Sequence, residues 1–581
     1  MCGILVVVAK HAGGLDLPAC RRALASMHWR GPDATFAHVW DTRVFLGQTV
    51  LSVTGTLPAA ADQHHRSASG RYTVLYNGEI YNFQELAQDA AGTDTQVLTG
   101  LHDRLDVDEI PPLLDGMYAY AVLDASARRL HLVRDVQGEK SLYLYEDASQ
   151  VIVASEPRAI RLLVPELSVD AQALRDYFRT RHLMLFDRTV YDGVRQLRPG
   201  QRDTFDLDAG TWSSGRQRRL RDWIDPARLA RNAGRSPESL ADELDELLRR
   251  CVRQMLPVNR RYAAVVSGGV DSSLLAHYLL AEGAPELLVA VHHVGKDRIS
   301  DDLAGFERVL GHAIRVVPVD AAVYAAEIAR CQAVCQAPLH THAFVGQAVQ
   351  SGIVRASGGR VLFGGDGADE LFGGYEAYLA AAAAGRFSPS PYTGHAEPAF
   401  AFDGDAPERL QADLAAAWSD ALDAYGGAPE PERVRQAMMY CDAAYQLPEV
   451  GLRGADFMSM MWSVETRSVY LRRPIIAFAL NLPLRAKTDP AAPPLRRAKP
   501  LLKRLFLRAY PEALLAEKQG FAGFPNESGA WLGRPEDFAA LDVLGLPPER
   551  LAAGWADRAA AWKLINVEYF LRGRVLERVA A

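Results

Sequence analysis

The sequence contains no run of about 18 apolar residues, the length a membrane-crossing helix needs, and no excess of one charge. Its 64 Lys and Arg stand against 71 Asp and Glu, a formal net charge of -7. Neither nucleic acid nor an anionic membrane is therefore expected as a partner. The apolar start, Met1-Cys2-Gly3-Ile4-Leu5, is too short for a secretory signal and lacks a basic flank and a small-residue cleavage site. Cysteine is scarce. The six residues at 2, 20, 251, 331, 335 and 441 are too few for a disulfide scaffold in a chain of 581, so a reducing cytoplasm is expected. Cys331 and Cys335 lie four apart in a helical stretch with no second ligand pair nearby, and are expected to pack in a core. No repeat of fixed period is present.

What is there is a globular composition, 49% hydrophobic and 23% charged. A chain this long exceeds one ordinary core, so two or more domains are expected. The first 160 or so residues read as short strands, at Ile4–Val8, Val44–Gln48, Tyr72–Tyr76, Tyr118–Leu123, Leu130–Arg134 and Val151–Ala154, punctuated by Gly, Asp and Asn. Gln201–Trp223 reads as an exit strand and a linker. From Ser236 the texture changes. Leu240, Leu244, Leu247 and Leu248 mark an amphipathic helix. Apolar strands at Ala263–Val266, Leu287–Val291, Ile314–Val317 and Arg360–Phe363 then alternate with helices, which predicts a parallel sheet. Beyond Glu430 the pattern is mostly helical, and Ala380–Glu408 reads as a loop or insertion.

Two Gly-rich turns carry the chemistry. In Val265-Val266-Ser267-Gly268-Gly269-Val270-Asp271-Ser272-Ser273 an apolar strand runs into glycines and then a helix. Glycines let backbone amides approach an anion, and the helix start and hydroxyls add donors. No Lys follows the glycines, so this is not the common phosphate loop of the G-x-x-x-x-G-K type. It matches the pyrophosphate loop of enzymes that split ATP between its α and β phosphates. The second turn, Phe363-Gly364-Gly365-Asp366-Gly367-Ala368-Asp369-Glu370, places three carboxylates within five positions. They repel one another unless a cation sits among them, and Mg²⁺ on the phosphates meets that need.

With these residues in view, the chain resembles the glutamine-dependent asparagine synthetases, over nearly its whole length. Further strings carry the likeness: Leu447-Pro448, Asp456, Met458-Ser459-Met460, Ser463-Val464-Glu465-Thr466-Arg467, Lys499 and Lys518-Gln519-Gly520-Phe521 in the C-terminal half. In the N-terminal half they are Arg30-Gly31-Pro32-Asp33, Tyr76-Asn77-Gly78-Glu79-Ile80-Tyr81-Asn82, Thr93-Asp94-Thr95 and Asp115-Gly116-Met117. The resemblance implies a class II glutamine amidotransferase domain over 2–215, an αββα sandwich of the N-terminal-nucleophile hydrolase type. It implies an ATP-dependent amide-forming domain over 236–581, a parallel α/β sheet with a helical C-terminal part.

The resemblance also assigns roles. Cys2 is the nucleophile, its α-amine the base once Met1 is gone. Asn77 and Gly78 form an oxyanion hole, and Asp94 holds the glutamine α-amine. Ser267, Gly268, Gly269, Asp271, Ser272 and Gly365 bind ATP. Asp271 and Asp369 bind Mg²⁺, Lys499 stabilises charge on the acyl-adenylate, and Asp366 and Glu370 serve the acceptor or a proton. The expected partners are glutamine and a small carboxylic acid, with a homodimer left open. Three departures stand out. Val50 occupies the position of an Arg that clamps the glutamine carboxylate, with Arg43 and Arg71 the nearest replacements in sequence. Gly364 stands for a Ser, and Arg472 stands for an Asp. The last two point to an acceptor other than L-aspartate. The rival readings are a β-lactam or lasso-type cyclase, against which Cys2 counts, and a non-catalytic nucleotide-binding relative. His340 and His342 are candidates for lining the acceptor pocket, and Trp562, Leu564, Ile565, Tyr569 and Phe570 for a C-terminal helix packed on the core.

Overall fold

The structure is a computed structural model. It describes residues 1–11, 13–54, 65–87, 92–179, 187–215, 217–296, 299–384, 408–516, 532–547, 550–551 and 555–580. The Lys518–Phe521 string, His64 and most of the Ala380–Glu408 segment lie outside these residues.

Strict alternation of side chains builds the N-terminal half. Eleven strands are formed: β1 (Cys2–Ala9), β2 (Ala34–Trp40), β3 (Val44–Val50), β4 (Tyr72–Ile80), β5 (Gly116–Asp124), β6 (Arg129–Arg134), β7 (Tyr143–Glu146), β8 (Gln150–Ala154), β9 (Val194–Gln196), β10 (Arg202–Asp206) and β11 (Thr211–Ser214). They make one antiparallel sheet in the order β2-β3-β1-β8-β7-β9 and a second in the order β11-β10-β6-β5-β4. In β1, Ile4, Val6 and Val8 face Ala119, Ala121 and Leu123 of β5 across the sandwich. Leu5 and Val7 face the other way, onto α1 (Leu17–Ala25). In β5 the intervening Tyr118, Tyr120 and Val122 face Val97, Leu98 and Leu101 of α2 (Asp94–His102). With α3 (Pro157–Leu163) laid on β8, the layers run helix, sheet, sheet, helix. A period of two in sequence thus becomes three apolar layers. The expected strands all form, and β2, β7, β9 and β11 are added.

The C-terminal half follows the other rule, near-continuous apolar strands covered on both faces. Strands β12 (Tyr262–Val265), β13 (Leu287–His293), β14 (Ile314–Val319), β15 (Val361–Gly364) and β16 (Glu465–Ser468) form one parallel sheet, ordered β14-β13-β12-β15-β16. Helix α4 (Pro237–Met255) buries Leu240, Leu244 and Leu248, with Leu247 partly covered. Strand β12 feeds α5 (Val270–Glu282) and β15 feeds α6 (Ala368–Phe372). Since β12 and β15 are parallel neighbours, both Gly-rich turns emerge at the same carboxyl edge. Helix α7 (Pro500–Ala509) packs on α4 and α5. Cys331 and Cys335 are buried, and burial pushes the Cys335 thiol up to about 12. The C-terminal helix α8 (Arg558–Ala580) buries Trp562, Leu564, Ile565 and Phe570 in a core shared with Tyr177 and Phe178 of the N-terminal half, with Tyr569 partly covered against it.

The two halves meet through buried charge. Arg30 donates to Cys2 O at 3.1 Å, to Glu156 at 3.0 Å and to Asp456 at 2.6 Å, and Lys140 completes Asp456 at 3.0 Å. Arg472 is 1% exposed, donates to Asp115 at 3.0 Å and packs over the Tyr81 ring at 4.8 Å. Its backbone neighbour Arg473 N also donates to Asp115, at 3.0 Å. This corrects the sequence-based reading of Arg472 as an acceptor-pocket residue: its charge is spent on the opposite half. Removing one member of such a pair leaves a buried charge alone. Arg472→Met should therefore destabilise the fold by about 3 kcal/mol, read as a lower midpoint of thermal unfolding. The double variant Arg472→Met with Asp115→Leu should recover most of that loss. A double variant as unstable as the single one would show that the pair itself is not what matters.

Candidate functional site

Two separate sites carry the residues singled out in the sequence. In the first, β1 and β4 bring Cys2 beside Asn77, and Cys2 N donates to Asn77 Oδ1 at 2.9 Å. That bond fixes the Asn77 amide with its Nδ2 pointing away. Nδ2 is buried and has no hydrogen-bond acceptor, so it is a donor held ready for an incoming oxygen. Gly78 admits no side chain, because a Cβ there would lie 2.1 Å from Met117 O on β5. Asp94 opens α2, whose N-cap Thr93 accepts from Gln96 N. Its carboxylate accepts from the Tyr76 hydroxyl at 2.8 Å, Ile80 N at 3.1 Å and Thr95 N at 2.8 Å. Burial raises its pKa, and those three bonds oppose the rise. Cys2, Gly78 and Asp94 line one cleft with Thr54, His65, Tyr76 and Glu79.

Glu79 was not assigned from sequence, although the signal was there. It lies two residues from Asn77 on β4, so the strand's alternation puts both on one face. It is 5% exposed, accepts from Thr54 Oγ1 and faces Arg467 at 3.4 Å. Burial raises it to about 8, with the Arg467 charge opposing. The two replacement arginines fail on position. Arg43 sits at the far end of β3 and donates to Ala9 O at 3.1 Å, and Arg71 grips Asp124 at 2.9 and 2.6 Å. Neither reaches the cleft. Met1 is 1% exposed, its ammonium on Leu51 O at 3.1 Å and Glu465 at 3.3 Å.

The second site lies where β12 and β15 end. Ser272 Oγ accepts from Ser267 N at 3.0 Å and meets Ser267 Oγ at 3.0 Å, which ties the loop to the first turn of α5. Gly268 has φ +76°, a conformation that opens the loop and suits glycine. Gly365 faces the base of this loop: a Cβ on it would be 3.4 Å from that of Asp271. Lys499 comes from the segment before α7 and joins the two turns. Its Nζ contacts Asp271 and lies 2.5 Å from Asp369. Burial opposes its charge, and those two carboxylates restore it and raise its pKa. The approach depends on Gly374, where a Cβ would stand 2.2 Å from Lys499 Cε. Tyr470 OH donates to Asp271 O at 3.0 Å and Ser468 Oγ to Asp366 O, so the end of β16 and the segment after it brace both turns.

Burial pushes Asp366 up to about 6. Glu370 rises to about 8 through burial and then the Asp369 charge, while Tyr375 OH donates to it at 2.6 Å. Gly364, which stands for a Ser, does not leave its side-chain space open. Instead Asp366 Oδ2 fills the space, 2.9 Å from where a Cβ would be. His342 is placed against Trp562 of α8, ring centres 6.5 Å apart, and His340 is buried. Asp271 and Asp369 both meet Lys499 Nζ, and among the described residues no third carboxylate, His or Cys joins them as a metal-holding group. A hard divalent cation suits that donor set.

A description of the asparagine synthase family matches residues 243–568, and one of a glutamine amidotransferase domain matches residues 1–215. A putative glutamine-hydrolysing asparagine synthetase of Mycobacterium tuberculosis (strain H37Rv) is 29% identical over 419 residues, 65% of this chain and 61% of that protein. An amidase of Gibberella zeae is 27% identical over 375 residues, 60% of this chain and 54% of that one. The asparagine synthetase of Gallus gallus is 25% identical over 339 residues, 52% and 54% of the two chains. The match thus spans less than two thirds of each relative's length. The asparagine synthase description alone covers more than half of this chain, and the glutamine amidotransferase description covers most of the rest. The chain belongs to the asparagine synthase family, with a glutamine amidotransferase domain at its N-terminal end.

Proposed function

We propose that the chain is a glutamine-dependent amide synthetase, with residues 2–215 releasing ammonia and residues 236–581 activating a carboxylic acid with ATP. The observation that carries this reading is the convergence of Asp271, Asp369 and Lys499 beneath the Ser267–Ser272 loop. Family membership and the Asn77 donor beside Cys2 support the ammonia half. With Met1 removed, the Cys2 amine takes the thiol proton and the sulfur attacks the side-chain amide of glutamine. Asn77 Nδ2 and Gly78 N donate to the developing oxyanion. Ammonia leaves, and water releases glutamate from the thioester.

At the second site the acceptor carboxylate attacks the α-phosphate of ATP. The amides and hydroxyls of 267–272 hold the departing pyrophosphate, and Lys499 counters its charge. Asp271 and Asp369 would hold Mg²⁺, which supplies further countercharge to the phosphates. Ammonia then attacks the acyl carbon, and AMP leaves. Asp366, half-buried at the turn, would take the proton that ammonia sheds. The acceptor is a small carboxylic acid. Because Arg472 is committed to Asp115, its change of charge no longer separates L-aspartate from other acids. A cytoplasmic location belongs to the proposal, supported by six buried free thiols.

Cys2→Ala should abolish glutamine-driven amide formation and leave ammonium-driven formation intact, measured as amide product with each nitrogen source. Loss of both in a folded protein would sink the division of labour. Asp271→Asn or Lys499→Ala should slow pyrophosphate release by a factor of roughly 100, the usual loss for one preorganised electrostatic partner. Ammonia release at Cys2, scored without ATP, should persist in both. Unchanged pyrophosphate release over a panel of carboxylic acids would place the activation site elsewhere.

A further inference from the structure

Apart from the chain's own amino terminus and His65, the acidic and basic residues that line the Cys2 cleft are all carboxylic. The cleft encloses about 600 Å³, solvent at its mouth included, and is lined by Glu79 and Asp94 with no Lys or Arg among the described residues. The Met1 ammonium also lines it, but is bonded to Leu51 O and Glu465. The sequence between the lining residues Thr54 and His65, Gly-Thr-Leu-Pro-Ala-Ala-Ala-Asp-Gln-His over 55–64, carries no Lys or Arg. Nor does Gln-Asp-Ala-Ala over 88–91, just before Thr93. Val50 pairs directly with Cys2 across β1 and β3, so an apolar side chain stands beside the nucleophile. Several guanidiniums adjoin the wall without lining it. Arg30 donates to Cys2 O at 3.1 Å and is held by Glu156 and Asp456. Arg467 lies behind Glu79, its Nε on Glu465 at 2.6 Å and its Nη1 on Met255 O. Arg260 donates to Ser52 O at 2.7 Å and faces Asp33 at 3.5 Å.

Free glutamine is a zwitterion. Asp94 and Glu79 suit its ammonium, but its α-carboxylate enters a cleft that offers neutral donors and no cationic side chain among the described residues. A carboxylate without a charged partner forgoes the stronger, charge-assisted hydrogen bonds. An uncharged group at the same position loses nothing of the kind.

Resting on the reading of this cleft as the ammonia-releasing site, we propose that its preferred donor is a glutamine whose α-carboxyl is masked and whose α-amine is free. The chemical class is an α-amino amide or ester, of which a peptide with N-terminal glutamine is one source and a small glutamine ester the other. The step is balanced. Cys2 sulfur bonds the side-chain carbonyl carbon, the carbon–nitrogen bond breaks, and ammonia departs with the thiol proton. Water then splits the thioester, so Gln-Gly gives Glu-Gly and ammonia.

The test compares L-glutamine, L-glutamine methyl ester and Gln-Gly as donors without ATP. The glutamyl products are followed by mass spectrometry, with Cys2→Ala as the blank for spontaneous cyclisation. Both masked donors should exceed glutamine in kcat/KM by about tenfold or more, the size expected when one charged hydrogen-bond partner is missing. A lead for Gln-Gly alone identifies the peptide as the source, and a lead for the ester alone the small molecule. Val50→Arg should raise kcat/KM for glutamine relative to that for Gln-Gly. Glutamine equal to or better than both masked donors in the native enzyme overturns the proposal, whether or not Val50→Arg folds. So does an enzyme that hydrolyses none of them while ammonium still supports amide formation. Failure of ammonium-driven pyrophosphate release instead counts against the second site, and leaves the donor ranking to be read by itself.

Discussion

The molecule turns on one carboxylate. Asp456 lies 2% exposed on the C-terminal half and receives both Arg30 and Lys140 from the other half. Burial alone would raise its pKa, but the two cations hold it below the usual carboxylate range. Arg30 in turn holds Glu156 and the carbonyl of Cys2, so the position of the nucleophile is referred to a residue more than 400 positions away. Buried ions add little net stability over apolar packing, but each unpaired arrangement is costly. The network therefore specifies one docking of the halves. Arg472 with Asp115 repeats the logic at a second point of the same interface.

Inside the C-terminal half the same physics is turned to a different use. Lys499 has φ +52°, a conformation disfavoured for a side chain of its kind, and lies between two carboxylates. Gly374 leaves the room, and Tyr470 and Ser468 brace the turns from beneath. The site is thus assembled from three chain segments separated by about a hundred residues each, and no one of them forms it alone.

Much of this was legible in the sequence because it rests on local rules. Alternation marked β1, β3, β4, β5, β6 and β8, and apolar runs after Ser236 marked β12 to β15 of the parallel sheet. The Ser267–Ser273 and Gly364–Glu370 strings announce tight turns whose backbone the glycines dictate. What was not legible depends on partners. Strand β16 reads Glu-Thr-Arg-Ser, polar throughout, yet Glu465 and Arg467 are buried because they neutralise each other. Arg472 seemed to belong to a pocket until Asp115, on the other half, was seen to hold it. Glu79 was visible by its spacing from Asn77 but had no role to suggest without the Thr54 and Arg467 that meet it. The sequence of a buried ion pair looks like a surface, and only the fold distinguishes them.

Strand β16 and the turn after it serve as a common gauge for both sites. Glu465 and Arg467 reach toward the first, while Ser468 and Tyr470 touch the turns of the second. Because successive side chains of a strand face opposite ways, inserting or deleting one residue here would exchange those faces. Either site can drift by point substitution, as Val50 and Gly364 illustrate. The spacing between 465 and 470 cannot drift without disturbing both, so divergence within such a chain is confined to side chains while its length at this point is pinned.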